Sequence, residues 1–401
     1  MLLSGAVIGP LTRRRFNASL AALTASGALP RLAHAETSSA HLDVAAMERA
    51  RVLAAAMSAL TQPIVTITTI PSPHAAAHDF YSELPADPNP AATTKPRDAF
   101  RNHAIALRNA SVAIATLTAA YVLTREDRYA LRARRHIAAW FVDPATSISP
   151  QFSYAAYDPV KSLATTAAVV DLVPLAEIAR ALSFLLDTDA LSPPELAATK
   201  AWFTDFQTFL NTDHNAFIAR EAKDHIASAW LLLSSAVARS LADDKNLDAC
   251  RRRFRRPTLR NQIDSLGIFP HEITTAFPYR NTLFNFDLLA TACQLLSTQF
   301  DNLWLYELDD GPGMRSVAAF LYPSIRDSAK WPAIADPESF RDLPGRRSGL
   351  LFAGRAFDRP EYVDLWRSTP APDPMQLPEP IAASFPISQP LLWTARAPHG
   401  L

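Results

Sequence analysis

The chain is poor in the residues from which many binding and redox motifs are built. Only 10 of its 401 residues are glycine. It has no glycine-rich phosphate loop and no Gly-x-Ser-x-Gly turn, which excludes a phosphate-loop nucleotide site and the serine-hydrolase elbow. It has 2 cysteines, Cys250 and Cys293, both in apolar helical stretches. Such a pair is no disulfide framework and reads as two buried thiols. Zinc-type spacing of Cys and His is missing as well, so neither a metal nor a cofactor is expected. An excess of either charge is also missing: 39 Lys and Arg against 39 Asp and Glu give a net charge of zero. No global field draws the chain to nucleic acid or to an anionic membrane, and an anionic ligand must be held by local charges.

What the chain has in quantity is alanine, leucine and helical spacing. Hydrophobic residues make up 49% of it, enough for a sizeable core, and alternating strand patterns are scarce. The 32 prolines sit between the periodic runs, where they start and stop helices. The spacing predicts helices at about 43–61, 98–123, 127–141, 163–187, 194–212, 226–241, 246–255, 282–298, 313–322, 346–356 and 360–367. Val65 to Thr68 reads as a short strand, and the Pro-rich stretch from Thr369 to Pro390 as an extended surface strap. Periodicity alone therefore gives one all-α domain of helical pairs, and leaves bundle, solenoid and closed ring open.

The first 35 residues read as an export signal. Thr12-Arg13-Arg14-Arg15-Phe16 fits the twin-arginine pattern, the apolar run from Ala18 to Leu29 is short for a bilayer span, and Ala33-His34-Ala35 is a small-x-small cleavage site. The mature chain, 36–401, is then expected in the periplasm or outside the cell, and off the membrane once the signal is removed.

Two polar segments stand out from the apolar background. Arg220-Glu221-Ala222-Lys223-Asp224-His225 opens the apolar helix that follows, and Phe269-Pro270-His271-Glu272 leads toward Tyr279-Arg280-Asn281 and Asn285. Each residue has a plain structural reading. His225 can cap a helix, Tyr279 can be a half-buried aromatic, Lys223 and Arg280 can be surface charges, and His271 and Glu272 can tie a loop down. Arg251-Arg252-Arg253-Phe254-Arg255-Arg256 reads as a solvated helix face.

From about Val65 to Leu392 the chain resembles the bacterial alginate lyase domain family. The resemblance is carried by His78-Asp79-Phe80-Tyr81-Ser82-Glu83, the run from Asn261 to Glu272, Thr282-Leu283-Phe284-Asn285, Asp301-Asn302-Leu303-Trp304, Leu350-Leu351-Phe352-Ala353-Gly354 and Phe385-Pro386-Ile387. It implies an (α/α) toroid of helical hairpins, with the two polar segments as opposite walls of a cleft for an acidic polysaccharide. The implied reaction is β-elimination: donors neutralise the uronate carboxylate, a base takes the C5 proton, and an acid serves the departing O4. On this basis His225 and Tyr279 are expected to be catalytic. Lys223, Asp224, Arg280, Asn281, Arg220 and His271 are expected to bind substrate, at a helix mouth whose free N–H groups favour an anion.

The match departs from the family pattern at several of these places. Where the family reads Lys-Asn-Asn-His, this chain reads Lys223-Asp224-His225, which replaces an amide donor by a carboxylate. Counting from Glu272, the family's arginine position holds Thr275 and its tyrosine position holds Asn281, with Tyr279 two residues earlier. The family's Trp-Trp-Pro-Asp-Pro stretch survives only as Leu84-Pro85-Ala86-Asp87-Pro88. Two other classes stay open, the first because of these departures and the second by analogy with other all-α toroids that cut glycosidic bonds. One is a non-catalytic uronate or glycan binder on the same scaffold. The other is a hydrolase that uses Asp224 and Glu272 as its carboxylate pair.

Overall fold

Proline and alanine lay out the architecture in the computed structural model, which describes residues 42–84, 99–186, 188, 190–333, 346–372, 377 and 383–396. The stretch expected to be an export signal and most of the Leu84 to Pro88 stretch lie outside these residues. The helices are α1 (Val44–Thr61), α2 (Asn102–Thr124), α3 (Asp127–Phe141), α4 (Ala168–Asp171), α5 (Pro174–Leu185), α6 (Pro193–Thr212), α7 (His214–Glu221) and α8 (His225–Ser240). They continue with α9 (Asp244–Arg253), α10 (Leu259–Gln262), α11 (Pro278–Leu296), α12 (Met314–Arg326), α13 (Ser348–Ala356), α14 (Pro360–Ser368) and α15 (Pro390–Thr394). Five of them start on a proline, where the missing N–H costs nothing.

The helices form an (α/α) toroid. The inner ring runs α2, α5, α8, α11, α13, each packed on the next, while α1, α3, α6, α7, α9 and α14 pack outside it. The inner helices are apolar almost all round because they are covered on every side: α8 buries every residue from Ala227 to Ala238. Helix α2 is long and apolar enough to cross a membrane by composition alone, but 67% of its most apolar window is buried inside the ring.

Cross-links between α8 and α11 show that these two run parallel. Ser228 meets Asn285 near their starts (2.6 Å), and Arg239 bonds the Leu295 carbonyl near their ends (3.2 Å).

The described end of the Pro-rich strap does not lie over the surface. Ser384, Ile387, Gln389 and Leu391 to Trp393 are buried, and α15 plugs the ring by touching α1, α2, α5 and α11. Glu177 holds the plug by accepting the Ser388 and Gln389 N–H groups (2.8 Å each) and the Ser388 hydroxyl (2.9 Å). Burial pushes its carboxyl up to about 7, against the pull of those N–H groups. Arg51 bonds the Gln389 amide oxygen at 2.9 Å.

Two further local expectations are corrected. Val65 to Thr68 forms no strand, because the chain turns through a 3₁₀ segment at Ile67–Thr69. The stretch 163–187 is not one helix: Leu163–Ala164 is a strand, followed by α4 and α5. A small sheet pairs β1 (Tyr81–Glu83) parallel with β2 (Tyr154–Asp158), and β2 antiparallel with β3 (Leu163–Ala164). The sheet sits at the end of the ring where α2 starts, since Glu83 N–H bonds the Phe100 carbonyl just before it.

Candidate functional site

The opening turn of α8 is assembled by two carboxylates. Asp224 is the N-cap, with its side chain accepting the Ile226 N–H at 3.0 Å and its carbonyl the Ala227 N–H. The His225 N–H donates to Glu272 Oε1 at 2.6 Å. The N–H groups read from sequence as a free anion site are therefore taken, and the helix mouth already holds its anions.

Glu272 comes from the loop before α11. Gly267 lets that loop turn: its φ is +82° and a Cβ there would sit 2.3 Å from the Ser316 carbonyl, so a side chain has no room. The Glu272 side chain is fully buried. It accepts from His225 Nδ1 at 3.0 Å and from Asn285 Nδ2 at 3.0 Å. Asn285 also donates to Gln262 Oε1 at 2.9 Å, and the Ser228 hydroxyl contacts both amide side chains. This network fixes the carboxylate that fixes the histidine.

A carboxylate only accepts, so His225 must carry its proton on Nδ1. Its ring is 19% exposed, it lies against Phe284, and Nε2 has no hydrogen-bond partner among the described residues. Burial pulls the imidazolium down, but the hydrogen bond and charge of Glu272, with the charge of Asp224, outweigh that and hold His225 above its ordinary value; Arg280 acts against them. The result is a histidine with one nitrogen pinned and the other open, the arrangement that fixes a tautomer for acid–base work.

The remaining expected residues divide. Arg280 is brought within electrostatic range of His225, with its guanidinium over the Phe277 ring at 4.0 Å. Lys223 is exposed two residues before His225. Arg220 is turned aside: it pairs with Glu221 at 2.9 Å and stacks on Phe217, so neither it nor Lys223 pairs with Asp224. Asn281 donates to the Thr275 hydroxyl at 3.1 Å, joining the two positions at which the family pattern is substituted. His271 is exposed, and its carbonyl accepts the Thr274 hydroxyl. Tyr279 is 4% exposed and its hydroxyl donates to the Ser324 carbonyl at 3.2 Å, beside Trp331. To pass a proton to a sugar it has to leave that bond. His103, which is not among the expected residues, is held by backbone on both ring nitrogens, receiving the Tyr81 N–H and bonding the Ile70 carbonyl, and is a packing residue.

Sequence reasoning missed Gln262 and Ser228 as supports of the site, although Gln262 and Asn285 lay in quoted segments. It also missed an aromatic group on the sheet. Tyr154 and Tyr157 are half-buried, and Tyr157 lies against Tyr81 and His74 at ring distances of 5.7 and 5.8 Å. The Tyr81 hydroxyl bonds Glu83 at 2.7 Å. These rings could be found only after β1 was paired with β2.

A helical toroid carrying a buried-carboxylate-supported histidine at the start of an inner helix defines the class of protein. A family model described as Alginate lyase matches residues 65–331, and the chain belongs to the alginate lyase family. Among solved structures, an alginate lyase from Bacteroides ovatus has a TM-score of 0.72 at 20% identity, covering 88% of this chain and 94% of that one. Alginate lyase A1-III from Sphingomonas species A1 has a TM-score of 0.51 at 16% identity, with 76% and 85% covered. A form of lyase A1-III complexed with a tetrasaccharide has a TM-score of 0.51 at 15% identity, with 78% and 86% covered. No curated protein matches in sequence. At these identities the structural likeness speaks for the fold.

Proposed function

We propose that this polysaccharide lyase cuts an alginate-like uronate polymer by β-elimination, with His225 as the group that moves the proton. The observation that carries the reading is the His225–Glu272 pair: Nδ1–H is committed to a buried carboxylate, which leaves Nε2 for substrate. In its neutral form Nε2 takes the proton from C5, the C–H electron pair forms the C4–C5 double bond, and the C4–O4 bond breaks. The same nitrogen then returns the proton to O4, so no water or co-reactant is consumed. Arg280 and Lys223 are assigned to offset the uronate carboxylate, whose charge grows as C5 loses its proton. Tyr154 and Tyr157 are assigned as faces on which sugar rings stack.

Tyr279 is not given the proton in this scheme, because its hydroxyl is engaged by Ser324 in a buried setting. The hydrolase reading loses its pair. Glu272 is buried behind His225 and Asp224 caps α8, so neither carboxylate is placed to flank a glycosidic bond. Export by a twin-arginine signal belongs to the same proposal and is tested by the size and location of the processed chain.

The test is ultraviolet absorbance during incubation with polymannuronate, polyguluronate, mixed alginate and glucuronan, since a C4–C5 double bond conjugated to the carboxylate absorbs where intact polymer does not. A rise that disappears in His225→Ala, with the helical signal and melting temperature kept, supports the assignment. A folded protein that binds one of these polymers yet yields no unsaturated ends instead favours the binding-protein reading, whose specific support is the engaged state of Tyr279, Asn281 and Thr275.

A further inference from the structure

The opposite end of the ring carries a cavity that the reaction does not use. Arg239 and Arg355 lie in the last turns of α8 and α13, and the cavity between these helix ends and α15 has a volume of about 530 Å³. Four arginines line it, Arg180, Arg239, Arg355 and Arg396, together with Trp304, Trp393 and the amide and hydroxyl side chains between residues 294 and 302. No aspartate or glutamate is among the described lining residues.

Two of the arginines are held by carbonyls, and Asp244 is in electrostatic range of Arg239 but beyond ion-pair distance. Arg180 donates to the Leu392 and Ala395 carbonyls at 2.8 and 2.7 Å, and Arg239 to the Leu295 carbonyl at 3.2 Å. Carbonyls orient a guanidinium without cancelling its charge. The helix ends carry only about half a negative charge each, which leaves the cavity positive. Arg355 Nε, Trp304 Nε1 and Trp393 Nε1 are buried N–H donors with no partner among the described residues, and both tryptophans are 3% exposed. Burial lowers Arg180 to about 9, helped by Arg239, and lowers Arg355 as well. An arginine cannot discharge this cost by losing its proton near neutrality, so an anion is what relieves it.

We propose that this cavity is a second binding site for acidic carbohydrate, taking one or two uronate rings at the far end of the inner helices from His225. The sugar class rests on the reading of the chain as a lyase of uronate polymers. Charge, donors and size are read from the cavity itself. Guanidinium forks match a carboxylate, amide and hydroxyl side chains match ring hydroxyls, and the volume lies in the range of small-molecule sites, about 300–1,000 Å³. A saccharide held there is bound without being cut, since no group in the cavity repeats the His225 arrangement.

The experiment uses the full chain carrying His225→Ala, which removes turnover. Saturated dimannuronate, the neutral disaccharide mannobiose and inorganic sulfate are titrated by calorimetry and by tryptophan emission, which Trp304 and Trp393 report. The expected result is saturable dimannuronate binding that perturbs the emission. Adding Arg355→Gln, and separately Arg239→Gln, should weaken it at least about tenfold while the melting temperature stays level or rises. Dimannuronate affinity unchanged by both substitutions overturns the proposal. So does mannobiose binding as tightly, and so does sulfate alone reproducing the effect, which would mark a site for small oxyanions. A melting temperature lowered by both substitutions, with no ligand effect, makes the arginines purely structural and also overturns it. The ultraviolet assay on the parent chain runs beside these titrations. Cleavage without this binding sinks the second site alone, whereas binding without cleavage sinks the β-elimination reading and keeps the site.

Discussion

The two ends of the inner ring treat charge in opposite ways, and α13 shows both in one helix. At its start, Arg347 is fully buried against Asp287 at 3.2 Å and also bonds the Ser384 carbonyl, while Asp287 accepts the Gly349 N–H. At its end, Arg355 is half-buried and has no carboxylate partner among the described residues, burial alone lowering its value. The same contrast holds along α8, which begins on two carboxylates that cap it and fix His225, and ends on Arg239, whose hydrogen bond goes to a neutral carbonyl, with Asp244 in electrostatic range but beyond ion-pair distance. Where a charge is matched, the fold uses it to hold a side chain still. Where charges are gathered and left unmatched, the arrangement fits something brought from outside.

The largest expected effect breaks the matched end. His225→Ala should lower the rate of unsaturated-end formation by about 10²–10⁴ and leave the melting temperature within a few degrees. Arg347→Ala strands Asp287 in the core and should cost about 3–5 kcal/mol, read by denaturant titration, whereas Arg355→Gln in the same helix should cost nothing. Equal losses from the two would erase the contrast between the ends.

Glu272→Gln sharpens the comparison through pH. The His225 value is raised in the folded state, so the pair's stability is full below the unfolded value of 6.5 and is lost as pH climbs through the folded value. Melting temperatures across that window should fall in the parent and stay flat in Glu272→Gln. The proposed reaction needs the neutral base, so the rising limb of activity should move to lower pH in the variant, with a rate about 10–100-fold lower. The smallest effect is expected for Tyr279→Phe, which removes one hydrogen bond to Ser324 and should cost about 1 kcal/mol of stability. Its activity should stay within about threefold, under 1 kcal/mol in barrier. A loss like that of His225→Ala would return the proton to Tyr279.

The helices were legible because alanine-rich periodic runs and prolines at first turns are local signals, and most expected boundaries lie within a few residues of those observed. What escaped depends on distant partners. Strand β1 is three residues long and pairs with a segment more than seventy residues away, so no local alternation marks it. Val65 to Thr68 has the β-branched composition of a strand but makes a turn. Helix α7 hid in polar sequence because its signal is the side chain of Asp213, which caps Asn215 and Ala216. At the site, family likeness singled out His225. Its dependence on Glu272 spans 47 residues, and the occupied state of the helix mouth is visible only once Asp224 and Glu272 are seen bonding it. The engaged hydroxyl of Tyr279 likewise depends on where α12 packs.

The plug made by α15 bears on how the molecule is made. Arg51 on the first described helix meets Gln389 across 338 residues, and Glu177 meets Ser388 and Gln389 across 211 and 212 residues. Contacts this far apart in sequence close late. During synthesis the inner helices can pair with their neighbours as they emerge, but the ring stays open on one side until the α15 segment leaves the ribosome and seats. A nascent chain stalled before Ser384 should therefore be helical, loosely joined and sensitive to protease, and emergence of Ser384 to Thr394 should convert it to the resistant form in one step.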